Sequence, residues 1–448
     1  MSRLPCWAIL AAFAACAPAA QSTLPYMRTA VALDALNSTG AGKITHIVYI
    51  VQENRSFDNL FQGYPGADTV SSGKDSRGKT IVLQPVPLAD EYSLDHSAKA
   101  MFTDCNGTGQ LPGTKCRMNG FQLEIYANAP RGVKYPMYVY VPHKDSKPYF
   151  DMAHEWVLAD RMFQSQLDES FVAHQYVIAA QAHSSVDLPF LTWGCGGGTG
   201  NAVQTIRKDR TYGGYIAPCY DYQTLGDELQ DAHLSWRFYA GSYGNRSNGD
   251  GGEWSGFQAV RHIRFGPDWK KDVISPNWKF ITDVRAGKLA NFTWITPVCD
   301  DSDHVNCGGG HGPSWVAALV NTVGQSKFWN STVIFVQWDD WGGLYDHVPP
   351  PFEDYDGLGF RVPLLAISPY AKRNRVSHVQ YETASVLRFA EDLFGLHQLA
   401  AADKRATSPA VDCFDFSQNP RAFVKIAAPL PPKFFMQGSG EYQAPDYE

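Results

Sequence analysis

The sequence predicts an α/β protein built around a central, mostly parallel sheet. Two apolar runs rich in β-branched residues, at 44–51 and 333–336, are bounded by polar residues, a pattern typical of buried strands. Polar and acidic side chains follow each run directly. Open α/β sheets bind ligands at the carboxyl ends of their strands. We therefore expect one large domain with a functional site at that edge of the sheet.

The other elements follow from the same two signals. Short apolar runs predict strands, and apolar residues recurring every three or four positions predict helices. In chain order we expect a strand at 44–51, a helix at 148–164, strands at 234–240 and 291–297, a helix at 314–325, strands at 333–336 and 364–367, and a helix at 381–394.

Composition sets limits on the class of protein. Of the 448 residues, 44% are hydrophobic and 19% are charged, as in ordinary globular proteins with a large core. The net charge of -7 provides no basic surface, which argues against nucleic acid as a partner. The sequence leaves the oligomeric state open.

The first twenty residues resemble a secretory signal peptide. Arg3 precedes an apolar segment at 7–20 that ends in small residues, and this segment is too short to span a membrane comfortably. We expect cleavage of residues 1–20 and a secreted or periplasmic protein without a transmembrane segment. Lipid anchoring at Cys16 is the less favoured alternative, because Phe13 fits a lipoprotein cleavage box poorly.

Disulfides are compatible with export. Removal of residues 1–20 leaves seven of the nine cysteines. Sequence alone cannot fix their connectivity, but close spacing favours three local pairs and leaves Cys413 over. The expected pairs are Cys105–Cys116, Cys195–Cys219 and Cys299–Cys307.

The first strand is followed by Glu53 and Asn54. Both side chains offer oxygen atoms, which are the ligands that hard divalent cations prefer. The alternative is that Asn54 or Ser56 only caps the helix that follows.

Asp339 and Asp340 stand side by side after the run at 333–336. Two adjacent buried carboxylates repel each other unless a cation lies beside them, and divalent metals favour carboxylate oxygens. A solvated acidic turn is the alternative interpretation. Six residues further on, a second polar pair ends in His347 before three prolines.

Several separated strings of residues resemble the bacterial phosphoesterase family. They are VQENRSFDNLF, WDDWGGLYDHVPPP, GLGFRVPLLAISPYAK and SHVQYETASVLRFAEDLFGL, in that order between about residue 44 and about residue 396. The family contains phosphatidylcholine-type phospholipases C and secreted acid phosphatases. The resemblance implies an alkaline phosphatase- or arylsulfatase-like three-layer sandwich. It also implies a catalytic domain over 40–400, with residues 401–448 as a C-terminal extension packed on or near it.

The resemblance implies a nucleophile at Ser170. Aligning the chain on Tyr176 places Ser170 on the threonine nucleophile of the phospholipase branch and His174 on its arginine. The acid phosphatase branch has a serine there. A hydroxyl at a helix N-terminus beside a metal is well placed to attack a phosphate, although an N-cap is the more common task of such a serine. His174, one turn later, is expected to bind the substrate phosphate.

Three further histidines are candidates for the phosphoryl site. His96 matches a family histidine expected to contact phosphate or lie beside the metal. His304 follows the predicted strand at 291–297, and His347 follows the Asp339–Asp340 pair. We expect these side chains to hold phosphoryl oxygens or protonate the leaving group. Structural roles are the alternative for each.

Together these features predict hydrolysis of phosphate esters through a phosphoserine intermediate. One divalent metal ion of unknown identity would be held by Glu53, Asn54, Asp339 and Asp340. The substrate would be a small phosphate ester or a phospholipid headgroup. Because histidines are most cationic below about pH 6.5, we expect an acid optimum. The alternatives are a phospholipase C acting on phosphatidylcholine or sphingomyelin and a catalytically inactive exported binding protein. The serine at position 170 favours the acid phosphatase interpretation over the first.

Overall fold

The structure is a computed structural model that describes residue 1, residues 38–241, residue 252 and residues 254–437. Apart from Met1, the predicted signal peptide and Cys16 lie outside these residues. None of the described helices combines the length and the apolar character needed to cross a bilayer.

An eight-stranded sheet forms the centre of the fold. Seven of its strands share one direction, and β7 is antiparallel to both of its neighbours. The spatial order is β4-β3-β5-β1-β6-β7-β2-β8. The strands are β1 (His46–Gln52), β2 (Val157–Ala159), β3 (Trp236–Tyr239), β4 (Val273–Ile274), β5 (Phe292–Ile295), β6 (Thr332–Trp338), β7 (Leu364–Ile367) and β8 (Arg375–Ser377). This arrangement confirms the predicted mostly parallel sheet.

Helices occur throughout the described chain. They are α1 (Phe57–Phe61), α2 (Ala98–Cys105), α3 (His143–Glu155), α4 (Ser170–Ala179), α5 (Leu225–Asp231), α6 (Arg261–Arg264), α7 (Pro267–Asp272), α8 (Lys279–Arg285), α9 (Gly312–Gly324), α10 (Ala384–Phe394), α11 (Ala401–Arg405) and α12 (Pro432–Phe435). A smaller antiparallel sheet of Ser185–Val186, Val203–Ile206 and Tyr212–Ile216 follows α4 in the chain.

Helices cover both faces of the large sheet. Phe335 of β6 packs against Phe389 of α10, with ring centroids 5.2 Å apart. Trp338 of the same strand packs against Tyr149 of α3 at 4.9 Å. Side chains an odd number of positions apart along a strand point to opposite faces, so α10 and α3 lie on opposite sides. The predicted three-layer α/β architecture is confirmed, and it explains why β6 is buried along its whole length.

The predicted strands and most predicted helices are present with small shifts in their ends. The helix expected at 148–164 is wrong in its second half, because the helix runs from His143 to Glu155. The backbone of Trp156 is not helical, with φ -128° and ψ -135°, and the chain then enters the sheet as β2. The apolar residues at 157–163 resemble a helix in their spacing but form two short strands.

The register of β1 and β6 positions the functional site. The two strands pair in parallel from His46 opposite Thr332 to Gln52 opposite Trp338. The backbone N–H of Asp339 also donates to the carbonyl of Gln52 over 2.9 Å. The residues that follow each strand, Glu53 and Asp339, therefore emerge side by side.

The three expected disulfides are present, at Cys105–Cys116, Cys195–Cys219 and Cys299–Cys307. Cys413 is buried and forms no disulfide with any described cysteine. Each bridge closes a short loop, of 11, 24 and 8 residues in sequence separation respectively.

The chain beyond α11 returns along the helical layer that contains α9. Phe423 stacks on Trp156 with ring centroids 5.8 Å apart. Asn321 of α9 exchanges two hydrogen bonds with the backbone of Ile426, and Phe435 packs on Trp315 at 5.2 Å. Residues up to 437 therefore pack against the rest of the fold; the boundary predicted at residue 400 stays a prediction.

Candidate active site

The turn after β1 presents Glu53 and Asn54 at the edge of the sheet. Asn54 adopts a left-handed backbone conformation, with φ 54°, and its N–H donates to Oδ1 of Asp339 over 2.9 Å. A Cβ at Gly342 would lie 2.7 Å from the carbonyl oxygen of Asn54, so this close approach of two turns requires glycine.

The turn after β6 presents two fully buried carboxylates. Oδ1 of Asp340 accepts the N–H of Gly342 over 2.7 Å, which fixes the carboxylate in its own turn. Oδ2 of Asp340 lies 3.1 Å from the hydroxyl oxygen of Ser170. Oδ1 of Asp339 accepts the backbone N–H of Asn54 in the turn after β1.

Ser170 is the first residue of α4 and is completely buried. Its Oγ lies 3.1 Å from Asp340 Oδ2 and 3.4 Å from Asn54 Oδ1. The N-cap of the helix is Glu169, and no side chain caps it. Ser170 therefore does not perform the capping task that was its alternative interpretation. Its hydroxyl lies at the positive end of the helix dipole, where anions bind favourably.

His174 lies among the carboxylates rather than beside Ser170. Its Nε2 is 3.0 Å from Oε1 of Glu53 and 3.7 Å from Oδ2 of Asp339. The phosphate contact expected for this residue stays a prediction, and the structure places its ring against the carboxylates of Glu53 and Asp339.

These residues fit a divalent cation. Ligand atoms of Glu53, His174 and Asp339 lie within 4.8 Å of one another. Oδ2 of Asp339 is buried and has no hydrogen-bond partner among the described residues. Burial alone would raise the pKa of Asp339, but the neighbouring His174 ring, together with Glu53 and Ser170, outweighs burial and holds the pKa well below its usual range. An ionised carboxylate with an open coordination position is what a hard or borderline metal needs.

Of the four metal ligands predicted from sequence, Glu53 and Asp339 therefore belong to this group directly. Asn54 and Asp340 flank it on the side of Ser170, each in contact with the serine hydroxyl. His174 is the member that the sequence assigned elsewhere. A histidine one helical turn after the nucleophile was the available signal, since positions i and i+4 share a helix face.

His96 contacts the amide of Asn54. Its Nδ1 donates to the carbonyl of Leu94 over 2.9 Å, which leaves Nε2 to accept the Asn54 Nδ2 hydrogen over 2.9 Å. Nε2 is also 3.9 Å from Asp340. His96 is thus in the site, where it orients the Asn54 amide with Oδ1 towards Ser170.

His304 lies next to His96, with ring centroids 6.2 Å apart. Its Nδ1 accepts the backbone N–H of Asn306 over 3.3 Å, so in the neutral ring the proton is on Nε2. On its other side the ring stacks on buried Trp254 at 6.1 Å. His304 is therefore beside the serine-containing group with its donor nitrogen defined.

His347 belongs to a different group of charges. Its Nδ1 is 2.6 Å from Asp58 Oδ2 and its Nε2 is 3.1 Å from Asp68 Oδ1. Asp58, Asp346 and His347 also offer ligand atoms close together. The guanidinium of Arg361 binds both oxygens of Asp346 at 2.9 and 3.0 Å and so supplies the positive charge there. The structure does not bring His347 together with Ser170.

Tryptophans beside the histidines were not assigned from the sequence. Trp193 packs on His174 with ring centroids 5.5 Å apart, and Trp341 packs edge-on against His96 at 6.0 Å. With Trp254 on His304, each histidine of the site has a buried indole beside it. Trp193 precedes a glycine-rich segment, and no local pattern distinguishes it from a core residue.

A family model described as Phosphoesterase family matches residues 44–397. Non-hemolytic phospholipase C of Burkholderia pseudomallei is 24% identical over 440 residues, covering 86% of this chain and 60% of that relative. Non-specific phospholipase C1 of Arabidopsis thaliana is 24% identical over 426 residues, covering 83% of this chain and 73% of that relative. The chain thus spans less than two thirds of the Burkholderia protein.

Solved structures with similarity to this chain include the sulfatase PsFucS1 from Pseudoalteromonas sp. It aligns with a TM-score of 0.42 at 9% identity over 89% of this chain and 78% of its own. A protein in the alkaline phosphatase superfamily from Vibrio parahaemolyticus aligns with a TM-score of 0.35 at 11% identity, over 82% and 71% of the two chains.

Proposed function

Because this chain belongs to the phosphoesterase family and is a phosphoric ester hydrolase, we propose that it works through a phosphoserine formed on Ser170. The observation that supports this most is the position of the Ser170 hydroxyl. It lies at the start of α4, 3.1 Å from Asp340 and 3.4 Å from Asn54. Residues from two neighbouring strand ends and one helix thus meet at a single buried oxygen.

In the first step, Ser170 Oγ attacks phosphorus while the bond from phosphorus to the leaving oxygen breaks. Asp340 Oδ2 is within reach of the hydroxyl proton and receives it. The N–H groups at the start of α4 stabilise negative charge on the phosphoryl oxygens. His96 keeps the Asn54 amide oriented so that its oxygen faces the serine.

The leaving oxygen needs a proton, and the imidazolium form of His304, protonated on both ring nitrogens, supplies it from Nε2 and becomes neutral. In the second step the same nitrogen takes a proton from water, which attacks phosphorus and breaks the bond to Ser170 Oγ. Asp340 returns its proton to that oxygen, so the serine is regenerated and inorganic phosphate leaves. His347 has no part in this scheme, because both of its ring nitrogens are bonded to aspartates of another group.

Glu53, His174 and Asp339 would hold a divalent cation, with Asn54 and Asp340 on its serine side. When bound, such an ion neutralises phosphoryl charge and lowers the pKa of a neighbouring hydroxyl. The two carboxylates and the imidazole need no rearrangement to face one another.

We propose a small, soluble phosphate monoester as substrate and export after removal of residues 1–20. The second candidate is a phospholipase C that releases a phosphorylated headgroup, which the names of the relatives favour. A binding protein without catalysis is the third. The complete set of buried carboxylates and the hydroxyl argues against it, because burying these groups without a use is costly.

The test uses purified protein with p-nitrophenyl phosphate and, in parallel, phosphatidylcholine vesicles, each with added divalent metal. We expect phosphate release from the monoester with an optimum below pH 6.5, and an acid-stable phosphoenzyme that Ser170→Ala loses. Ser146→Ala is the matched control, since Ser146 is also buried and helical but lies on α3. Turnover in Ser170→Ala would contradict the assigned nucleophile. Headgroup release without monoester cleavage would favour the phospholipase, and no turnover of either would favour the binding protein.

A further inference from the structure

We propose that Asp303 is a positioning residue for the reaction. It directly precedes His304 in the chain, and its side chain and peptide group fix the backbone from which the His304 ring reaches the site. This inference depends on the proposed role of His304 as proton donor.

The carboxylate of Asp303 is held from two layers of the fold. Its Oδ2 accepts the hydroxyl hydrogen of Tyr149 over 2.7 Å and the indole hydrogen of Trp338 over 2.9 Å. Tyr149 is on α3, and Trp338 is the last residue of β6, immediately before Asp339. All three side chains are buried. The loop that contains His304 is therefore tied to the same strand end that presents the carboxylates of the site.

The peptide group of Asp303 is tied to the other strand end. Its N–H donates to Oε1 of Gln52 over 3.2 Å, and its carbonyl accepts from Nε of Arg55 over 2.7 Å. Gln52 and Arg55 immediately flank Glu53 and Asn54 in the sequence. One residue thus connects the His304 loop to both turns that form the metal-binding group.

The remaining carboxylate oxygen faces the start of α9. A Cβ at Gly312 would lie only 2.1 Å from Oδ1 of Asp303, so a side chain at position 312 would displace this carboxylate. The disulfide Cys299–Cys307 closes the loop around Asp303 and His304. With both ends of the loop bridged and its centre bonded to four side chains, the backbone of His304 has little freedom.

A structural purpose alone does not explain a carboxylate here. The disulfide already closes the loop, and a buried carboxylate costs free energy that an apolar side chain of similar size would not. Two directional bonds to one oxygen instead define the rotation of the Asp303–His304 backbone. Precise placement matters for proton transfer, because misplacement of about 1 Å can cost about 100-fold in rate.

Asp303→Leu tests this, because leucine keeps the branched shape of the side chain and cannot accept the bonds from Tyr149 and Trp338. We expect kcat for p-nitrophenyl phosphate to fall by about 10- to 100-fold, with KM within about twofold, since the position of His304 affects proton transfer in the transition state. Asp301→Leu is the matched control. Asp301 is in the same loop but pairs with the ring of His311, and its variant should stay within about twofold of the wild-type kcat.

A double-variant cycle separates positioning of His304 from general damage. In a His304→Ala background, Asp303→Leu should lower kcat by less than about twofold further, because residues that act as a unit are not additive. An equal loss from Asp303→Leu in both backgrounds would overturn the inference, as would a wild-type kcat in the single variant. A His304→Ala variant with full activity would instead remove the proposed proton donor, and this inference with it, while phosphoenzyme formation on Ser170 would still be observable.

Tyr149→Phe gives a second measurement if Asp303→Leu does not fold. It removes one O–H donor to Asp303 and leaves the charge in place. We expect kcat to fall by about 3- to 10-fold, again only when His304 is present. A loss of the same size in the His304→Ala background would contradict the inference.

Discussion

The buried guanidinium of Arg361 supplies the positive charge that pairs with the carboxylates of Asp346 and Asp58. Its guanidinium bonds both oxygens of Asp346, lies 3.6 Å from Asp58 and stacks over the ring of Phe57 at 4.7 Å. Its Nη1 also donates to the carbonyl of Asp160 over 2.8 Å. The side chains of Asp346, Asp58 and Phe57 contact the guanidinium directly, whereas Asp160 contacts it through its backbone carbonyl. All of these residues are buried.

Arg361→Met keeps most of the volume and removes the charge. Asp346 and Asp58 would then be buried without a full positive partner, and breaking a buried pair in this way costs about 3–5 kcal/mol. Unfolding residues 38–437 at about 2.1 cal/mol/K per residue releases about 0.8 kcal/mol/K of entropy. Dividing the free-energy cost by the entropy of unfolding predicts a fall in Tm of about 4–6 °C.

Thermal unfolding followed by circular dichroism at pH 7 measures this shift. Arg373→Met is the control, because Arg373 also binds a carboxylate, that of Glu155, but its side chain is 65% exposed; its Tm should change by less than about 1 °C. An Arg361→Met/Asp346→Leu double variant should recover part of the loss, since an apolar pair can replace a buried ion pair. An Arg361→Met protein that melts with the wild type would refute the reasoning.

Three further predictions concern the metal, the second charge group and a disulfide. A divalent metal at 100 times its Kd should add about 2.7 kcal/mol of stability over EDTA-treated protein, and Asp339→Asn should abolish that difference in Tm; equal melting of wild type with and without metal would contradict it. Burial lowers the pKa of His347, but Asp58 outweighs it and the net shift is upward. The stabilisation is therefore complete below the unfolded value of about 6.5 and is lost as pH rises through the folded pKa. His347→Gln should thus cost about 1–2 kcal/mol in urea unfolding at pH 5 and less at pH 9, and a larger cost at pH 9 would reverse the sign argued here. Replacing Cys195 and Cys219 by serine opens a loop of 24 residues and should cost about 3 kcal/mol, with an unchanged urea midpoint as the contrary result.

The parts of the site that follow strands were predictable from the sequence. Short β-branched runs identified β1 and β6, and polar residues directly after such runs can only emerge at the sheet edge. The resemblance to known motifs then placed Ser170 at the start of a helix. These signals are local, so each could be recognised within about ten residues of the chain.

What the sequence did not predict depends on contacts between distant residues. His174 was expected to bind phosphate because the family resemblance places it on an arginine, and its contact with Glu53, 121 positions away, has no local signal in the sequence. We predicted helix where β2 lies, because a run of three buried residues is too short for its hydrophobic spacing to distinguish a helix from a strand. The hydrogen bond from Tyr149 to Asp303 joins residues 154 positions apart, so only the three-dimensional structure could identify it.

The pairing of β1 with β6 also has a consequence for biosynthesis. Asn54 and Asp339, which share a hydrogen bond, are 285 positions apart, so a growing polypeptide contains no complete ligand set until Asp339 has been synthesised. Until then the apolar centre of β1, residues 47–51, lacks the strand that pairs with it on this side, and such late, non-local pairing is slow and prone to aggregation. The metal-binding group therefore cannot form before β6 is synthesised. An incomplete chain instead exposes an unpaired apolar strand that can associate with other incomplete chains.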